Sequence, residues 1–206
     1  IFDDSYRQVL LQRHVYGYST NTNNDFQLDA MYNTRLSEIF ARHSAKKPVL
    51  IFCSTRNSTV TTAKYITQNC SHELMLSSCD NPFASLLQDR QLRECAKHGV
   101  AFHHAGLSME DRSSIEANFV NGNIKVLCST STLAVGVNLP AYLVIIKGTR
   151  VWTVNGTEEY SELDTLQMIG RAGRPQFESE GCAVIMTDLC SQKKYEGLIK
   201  GKEKLE

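Results

Sequence analysis

Five short apolar runs recur along this chain, each too brief to be a buried helix and each bounded by Pro, Gly, Asn or hydroxyl residues. They are Val49-Leu-Ile-Phe-Cys53, Val100-Ala-Phe-His-His104, Ile124-Lys-Val-Leu-Cys128, Tyr142-Leu-Val-Ile-Ile146 and Gly181-Cys-Ala-Val-Ile-Met-Thr187. Runs of this length read as strands covered on both sides. Between them lie stretches of helical periodicity. Asp25 is placed to cap a helix to about residue 43, with Phe26, Met31, Leu36, Ile39 and Phe40 as its apolar positions. A second helix follows from about residue 59 to 69. Leu86, Leu87, Leu92 and Cys95 suggest one ending near Gly99, and Ser108-Met-Glu-Asp111 starts another as a capping box with Asp in place of Glu. Residues 160–171 carry Leu163, Leu166 and Ile169 on one face, and a last amphipathic helix covers about 191–200. Strands alternating with helices predict an α/β fold, an open, mostly parallel sheet with helices on both faces.

One domain suffices for 206 residues. Residues 6–18 have the β-branched and aromatic content of a strand or an extended connector, so residues 1–24 are expected as a lead-in from a preceding domain and 25–206 as the domain proper. The chain opens on Ile1 and closes on a charged Gly201-Lys-Glu-Lys-Leu-Glu206, and both ends are expected to be cuts in a longer polypeptide. Residues 149–153 are expected as a further strand, with Asn155-Gly156 as a turn.

Charge excludes a basic-tail binder. Lys+Arg and Asp+Glu both number 22, so any contact with nucleic acid must come from a local groove. The seven cysteines contain no CxxC pair, and His103 and His104 have no third ligand at metal spacing, so no metal site is expected. Buried free thiols in a reducing compartment are the expected state. No apolar run has the length of a membrane span, and no membrane partner is expected.

Chemistry-bearing residues gather where the strands end. Ser54-Thr55-Arg56 follows the run at 49–53, and Ser129-Thr-Ser-Thr132 follows the run at 124–128, each ahead of a helix. Ligands of open parallel sheets bind at such carboxyl ends, and hydroxyls, an Arg and free N–H groups suit phosphate oxygens. A capped helix start with a solvated Arg explains the first of these turns equally well. Gln167-Met-Ile-Gly170-Arg171-Ala-Gly173-Arg174-Pro175 puts two guanidinium forks three residues apart at the end of a helix. On one helix face they would form a phosphate clamp, with Gly170 and Gly173 admitting a ligand to the backbone. The same spacing also suits an ordinary helix C-terminus, where arginines complement the dipole and a glycine ends the turn.

Taken in order, Phe52-Cys-Ser-Thr-Arg56, His103-His-Ala-Gly106, Thr130-x-Thr-Leu-Ala-x-Gly-Val-Asn-Leu-Pro140 and Gln167-x-x-Gly-Arg-Ala-Gly-Arg-Pro175 resemble the ordered motifs of the second RecA-like domain of a superfamily 2 helicase. The likeness covers nearly the whole chain. Within that superfamily the wording is similar to the Ski-like branch, which includes the exosome-associated, archaeal repair and spliceosomal helicases. It most resembles the meiotic crossover DNA helicase family, around His14-Val-Tyr-Gly-Tyr18, Asp164-Thr-Leu-Gln-Met-Ile169 and Lys200-Gly-Lys-Glu-Lys204. Asn138 and Ser131 stand where DEAD-box relatives carry Asp.

The resemblance implies a RecA-like sheet. It implies that Arg171 and Arg174 are arginine fingers and that Gln167 senses the nucleotide, with Gly136, Asn138 and Gly170 near it. Ser54, Thr55, Arg56 and Thr130 would hold the backbone of single-stranded or branched DNA, with Arg112 assisting and RNA not excluded. The implied cofactor is ATP with Mg²⁺, held mainly by the first RecA-like domain of the same polypeptide, because these residues contain neither GxxxxGK[ST] nor an Asp-Glu-x-His stretch. The implied activity is one half of a nuclear, 3′-to-5′ helicase motor of meiotic recombination. An RNA-remodelling motor of the same branch and a silent cassette used for protein docking are the alternatives.

Overall fold

A computed structural model of the chain describes residues 9–22, 24–76, 81–154 and 156–201. The apolar runs become β2 (Val49–Cys53), β3 (Val100–His103), β4 (Val126–Thr130), β5 (Leu143–Lys147) and β8 (Glu180–Asp188). β2 and β5 are buried at every position, as strands flanked on both sides must be. The runs at 124 and 142 enter the sheet one or two residues later than the apolar pattern suggests. Pro48 has no N–H, so β2 starts at Val49, and Val49 pairs with both Val126 and Leu143.

Residues 10–18 form β1 (Leu10–Tyr18), which pairs in parallel with β8 from Leu10↔Glu180 to Tyr18↔Asp188. This stretch is therefore the sheet's edge strand. The order is β1-β8-β5-β2-β4-β3, and every pairing is parallel. The expected open parallel RecA-like sheet is what forms.

Helices cross between the strands: α1 (Asp25–His43), α2 (Arg56–Asn69), α3 (Ser71–Leu74), α4 (Arg90–Ala96), α5 (Met109–Val120), α6 (Leu133–Gly136), α7 (Glu162–Ile169) and α8 (Gln192–Gly201). Right-handed crossovers decide their sides. The steps β1→β2 and β2→β3 run toward the β3 edge, so α1 and α2 share one face, whereas β3→β4 and β5→β8 run back and put α5 and α7 on the other.

Four local expectations change. Asn24, not Asp25, caps α1, accepting from Phe26 and Gln27 N–H. Ser108 caps α5, but Asp111 does not complete a capping box; its buried carboxylate accepts from the N–H of Gln88 (2.8 Å) and Asp89 (2.9 Å). In α7 the buried positions are Thr165, Met168 and Ile169, and Leu163 faces outward. Spacing of three and four puts those three on one stripe, and Leu163 falls outside it. The strand expected at 149–153 forms as β6 (Arg150–Thr153), but it leaves the main sheet to make an antiparallel hairpin with β7 (Gly156–Glu159). Asn155 of the expected turn, Cys79 and most of the Lys200–Lys204 stretch lie outside the described residues.

Candidate functional site

Parallel register sets the strand ends side by side: Cys53 pairs with Thr130 and with Lys147, and Ser129 with His103. The loops that follow therefore lie along one edge at strand spacing, about 4.8 Å apart. Ser54, Thr55 and Arg56 neighbour Thr130 there, and Arg56 reaches toward the His104–Gly106 loop, where its Nη1 is 3.6 Å from the position of a Cβ on Gly106. Thr130 Oγ1 is 3.0 Å from Thr132 Oγ1. Thr55 caps α2, its hydroxyl accepting from Ser58 N–H at 3.0 Å. Arg112, in the first turn of α5, has a buried Nε without a hydrogen-bond partner.

The two histidines are structural in their contacts. His103 is buried and meets Glu116 at 2.8 Å, and burial lowers its pKa against the opposing pull of that carboxylate. His104 stacks on Phe102 and accepts from Gly106 N–H at 3.1 Å; burial and then Arg56 lower its pKa.

The arginine-rich segment is not a helix face. α7 ends at Ile169, and Ala172 bridges to Ala141 in parallel, so Arg171 and Arg174 sit in a loop. Gly173 explains the turn: its φ is +93°, and a Cβ there would fall 2.7 Å from Val9 Cγ1. This glycine serves the chain's own packing rather than the approach of a ligand.

Arg171 folds back on α6. Its Nε donates to Ala134 O at 3.0 Å, Nη2 to the same oxygen, and Nη1 to Asn138 Oδ1 at 3.0 Å. A shallow depression of about 310 Å³ opens there, lined by Ala134, Gln167, Gly170 and Arg171. Gly136 is exposed nearby with open space around its α-carbon. Arg174 lies elsewhere, with its guanidinium carbon 4.2 Å from the ring centre of Phe177 and its Nε 4.0 Å from Glu178.

Residues 31–176 match the family model of the helicase conserved C-terminal domain. The chain belongs to that family. It is 58% identical over its whole length to the ATP-dependent DNA helicase MER3 of Saccharomyces cerevisiae, of which it spans 17%. Over 94% of its length it is 41% identical to the human probable ATP-dependent DNA helicase HFM1, spanning 14% of that protein, and over 90% it is 37% identical to the pre-mRNA-splicing factor brr2 of Schizosaccharomyces pombe, spanning 9%. The chain thus covers under a fifth of these relatives and corresponds to the second RecA-like domain of the MER3/HFM1 type.

In this helicase C-terminal domain one buried polar network is not legible in the sequence. Lys147 ends β5 fully buried, and its Nζ donates to Thr62 Oγ1 (2.6 Å), Asn33 Oδ1 (2.7 Å) and Asp29 Oδ1 (2.9 Å). Asp29 also accepts from Ser58 Oγ at 2.7 Å. The ammonium thereby ties α1 and α2 to the sheet beneath Ser54 and Thr55. A groove of about 490 Å³ opens nearby, lined by Ser54, Thr55, Asn57 and Ser58 and by the carboxylates Asp25 and Asp29, and flanked by exposed Phe26 and by Trp152 of the β6–β7 hairpin. The only sequence signal was a lysine closing an apolar run.

Proposed function

We propose that this domain is the second half of an ATP-dependent, 3′-to-5′ DNA helicase motor acting in the nucleus in meiotic recombination. The observation that carries the reading is the junction of Arg171 with α6 and Asn138 beside Gln167, which joins the α7 exit to the Thr130–Pro140 loop in one polar depression. The full-length MER3 and HFM1 names support DNA as substrate.

The residues fit one edge of a nucleotide. Gln167 and the N–H groups of Arg171 not taken by Ala134 O and Asn138 would donate to terminal phosphate oxygens, and Arg174 would have to leave Phe177 and Glu178 to join them. Among the described residues the depression is lined by Ala134, Gln167, Gly170 and Arg171, a set without the oxygen-rich ligands of Mg²⁺, which would be held by the first RecA-like domain. ATP supplies the transferable phosphoryl group; the arginines neutralise charge developing on it.

The hydroxyls of Ser54, Thr55 and Thr130, with Arg56 and Arg112, bind the phosphates of a single strand without reading sequence. Phe26 and Trp152 give its bases apolar faces to stack on. The 206-residue chain alone is expected to hydrolyse no ATP when DNA is added, whereas the full-length protein does; turnover by the isolated chain overturns the half-motor reading.

Thr130→Val in the full-length protein should weaken single-strand binding about tenfold, the loss of one hydrogen bond to a charged group, with stability unchanged. Thr55→Val should do the same and also lose the α2 cap, costing about 1 kcal/mol. Unaltered binding in both variants removes the strand track. Because these contacts are shared by both polymers, competition between DNA and RNA strands tests the RNA-remodelling reading that similarity to brr2 raises.

A further inference from the structure

Three elements that are distant in sequence meet on the α1 side of the sheet's edge. In the β1–β8 pair, Gln12 is opposite Cys182 and His14 opposite Val184, so Cys182 and His14 lie two steps apart and face the same side. Tyr16 and Tyr18 share that face and both touch α1: Tyr16 Oη is 2.6 Å from His43 Nε2, and the Tyr18 ring meets Tyr32. The end of α1 is thereby held over the strands, with the imidazole centres of His14 and His43 4.4 Å apart.

One ligating atom from each of His14, His43 and Cys182 lies within 4.8 Å of the other two. Around tetrahedral zinc, with bonds of about 2.0–2.3 Å, ligand atoms stand roughly 3.3–3.8 Å apart. Side-chain rotation covers that difference. His14 Nε2 is, in addition, buried with no hydrogen-bond partner. A buried acceptor or donor left unmade is costly, and a metal bond relieves it.

We propose that His14, His43 and Cys182 bind a zinc ion that clamps β1 to β8 and to the end of α1. Two imidazoles and a thiolate suit zinc and exclude magnesium, which requires oxygen ligands. Water completes the tetrahedron, the thiol proton is released to solvent on binding, and Tyr16 orients His43 from the second shell. The site lies on the edge strand, away from the arginine depression, and is independent of the helicase reading.

Cobalt is the probe, because a thiolate bound to Co²⁺ absorbs in the near ultraviolet. The full-length protein, stripped of metal, should gain that band with Co²⁺ and lose it to Zn²⁺. Cys182→Ser should lose one equivalent of the band, and Cys190→Ser, which changes an exposed thiol, should keep it. No band, or a band undiminished in Cys182→Ser, overturns the site. If Cys182→Ser fails to fold, Tyr16→Phe keeps all three ligands and should weaken Zn²⁺ binding about tenfold; unchanged Zn²⁺ affinity in that variant also overturns it.

Discussion

Arg174→Lys in the full-length motor is expected to lower the single-turnover ATP hydrolysis rate about a thousandfold while ATP affinity stays near its starting value. The substitution keeps the charge and loses the planar fork. On the proposed reading, a finger acts as charge develops in transfer, so its loss falls on the rate, and the phosphates would be held mainly by the other RecA-like domain, so affinity survives. The surroundings of Arg174 sharpen the test. Its side chain packs on Phe177, and its contact with Glu178 is long, at 4.0 Å. Lysine can keep the ion pair but loses the planar stacking on Phe177 at a site where Arg174 is only 15% exposed, so stability should fall by about 1 kcal/mol, far too little to account for the loss of rate. Near-normal hydrolysis by the variant ends the finger assignment. Arg171 gives the contrast, because its fork is committed to Ala134 O and Asn138. Arg171→Lys should therefore lose stability as well as rate.

Lys147→Met is expected to destabilise the domain by about 3 kcal/mol, the low end of the cost of breaking a buried ion pair. The low end applies because Asp29 is 19% exposed and recovers some hydration. At this chain length the melting temperature should fall by roughly 6–12 °C. Leaving Asp29 and Asn33 without their donor is the cause, so Lys147→Met combined with Asp29→Leu should regain most of the loss, since replacing both charges with apolar groups is often neutral. Thermal melts of both single variants and the double variant measure the coupling. Equal loss in the single and double variants would show that the ammonium does not act through Asp29. Because the network underlies Ser54 and Thr55, the single variant should also bind a strand less well than its stability alone accounts for.

The sheet was legible in the sequence because strands buried on both faces must be continuously apolar, and Val49–Cys53 and Leu143–Lys147 are buried at every position. Edges of elements were less so. The start of β4 is set by the starts of its neighbours, with Val126 paired to both Val49 and Val100, and a window around Ile124 contains no trace of them. The arginine motif was visible as chemistry but misread as geometry. Helical spacing through Arg174 fails because α7 ends at Ile169 and Ala172 bridges to Ala141, a contact supplied by a residue some thirty positions upstream. Lys147 looked like the polar end of a strand, since its partners come from two helices outside any local window. His14, His43 and Cys182 carry no spacing signature for the same reason; only the fold makes them neighbours.

Pairing the first strand with the last imposes an order on synthesis. β1 leaves the ribosome early, yet its ladder partner β8 is the final strand of the sheet. At usual elongation rates the gap is on the order of ten to thirty seconds. During it the backbone amides of residues 10–18 have no native strand to bond, while β2, β3 and β4 can already associate. The domain therefore closes at its edge last, and a nascent chain halted before residue 180 carries an unpaired strand that other chains or chaperones can occupy.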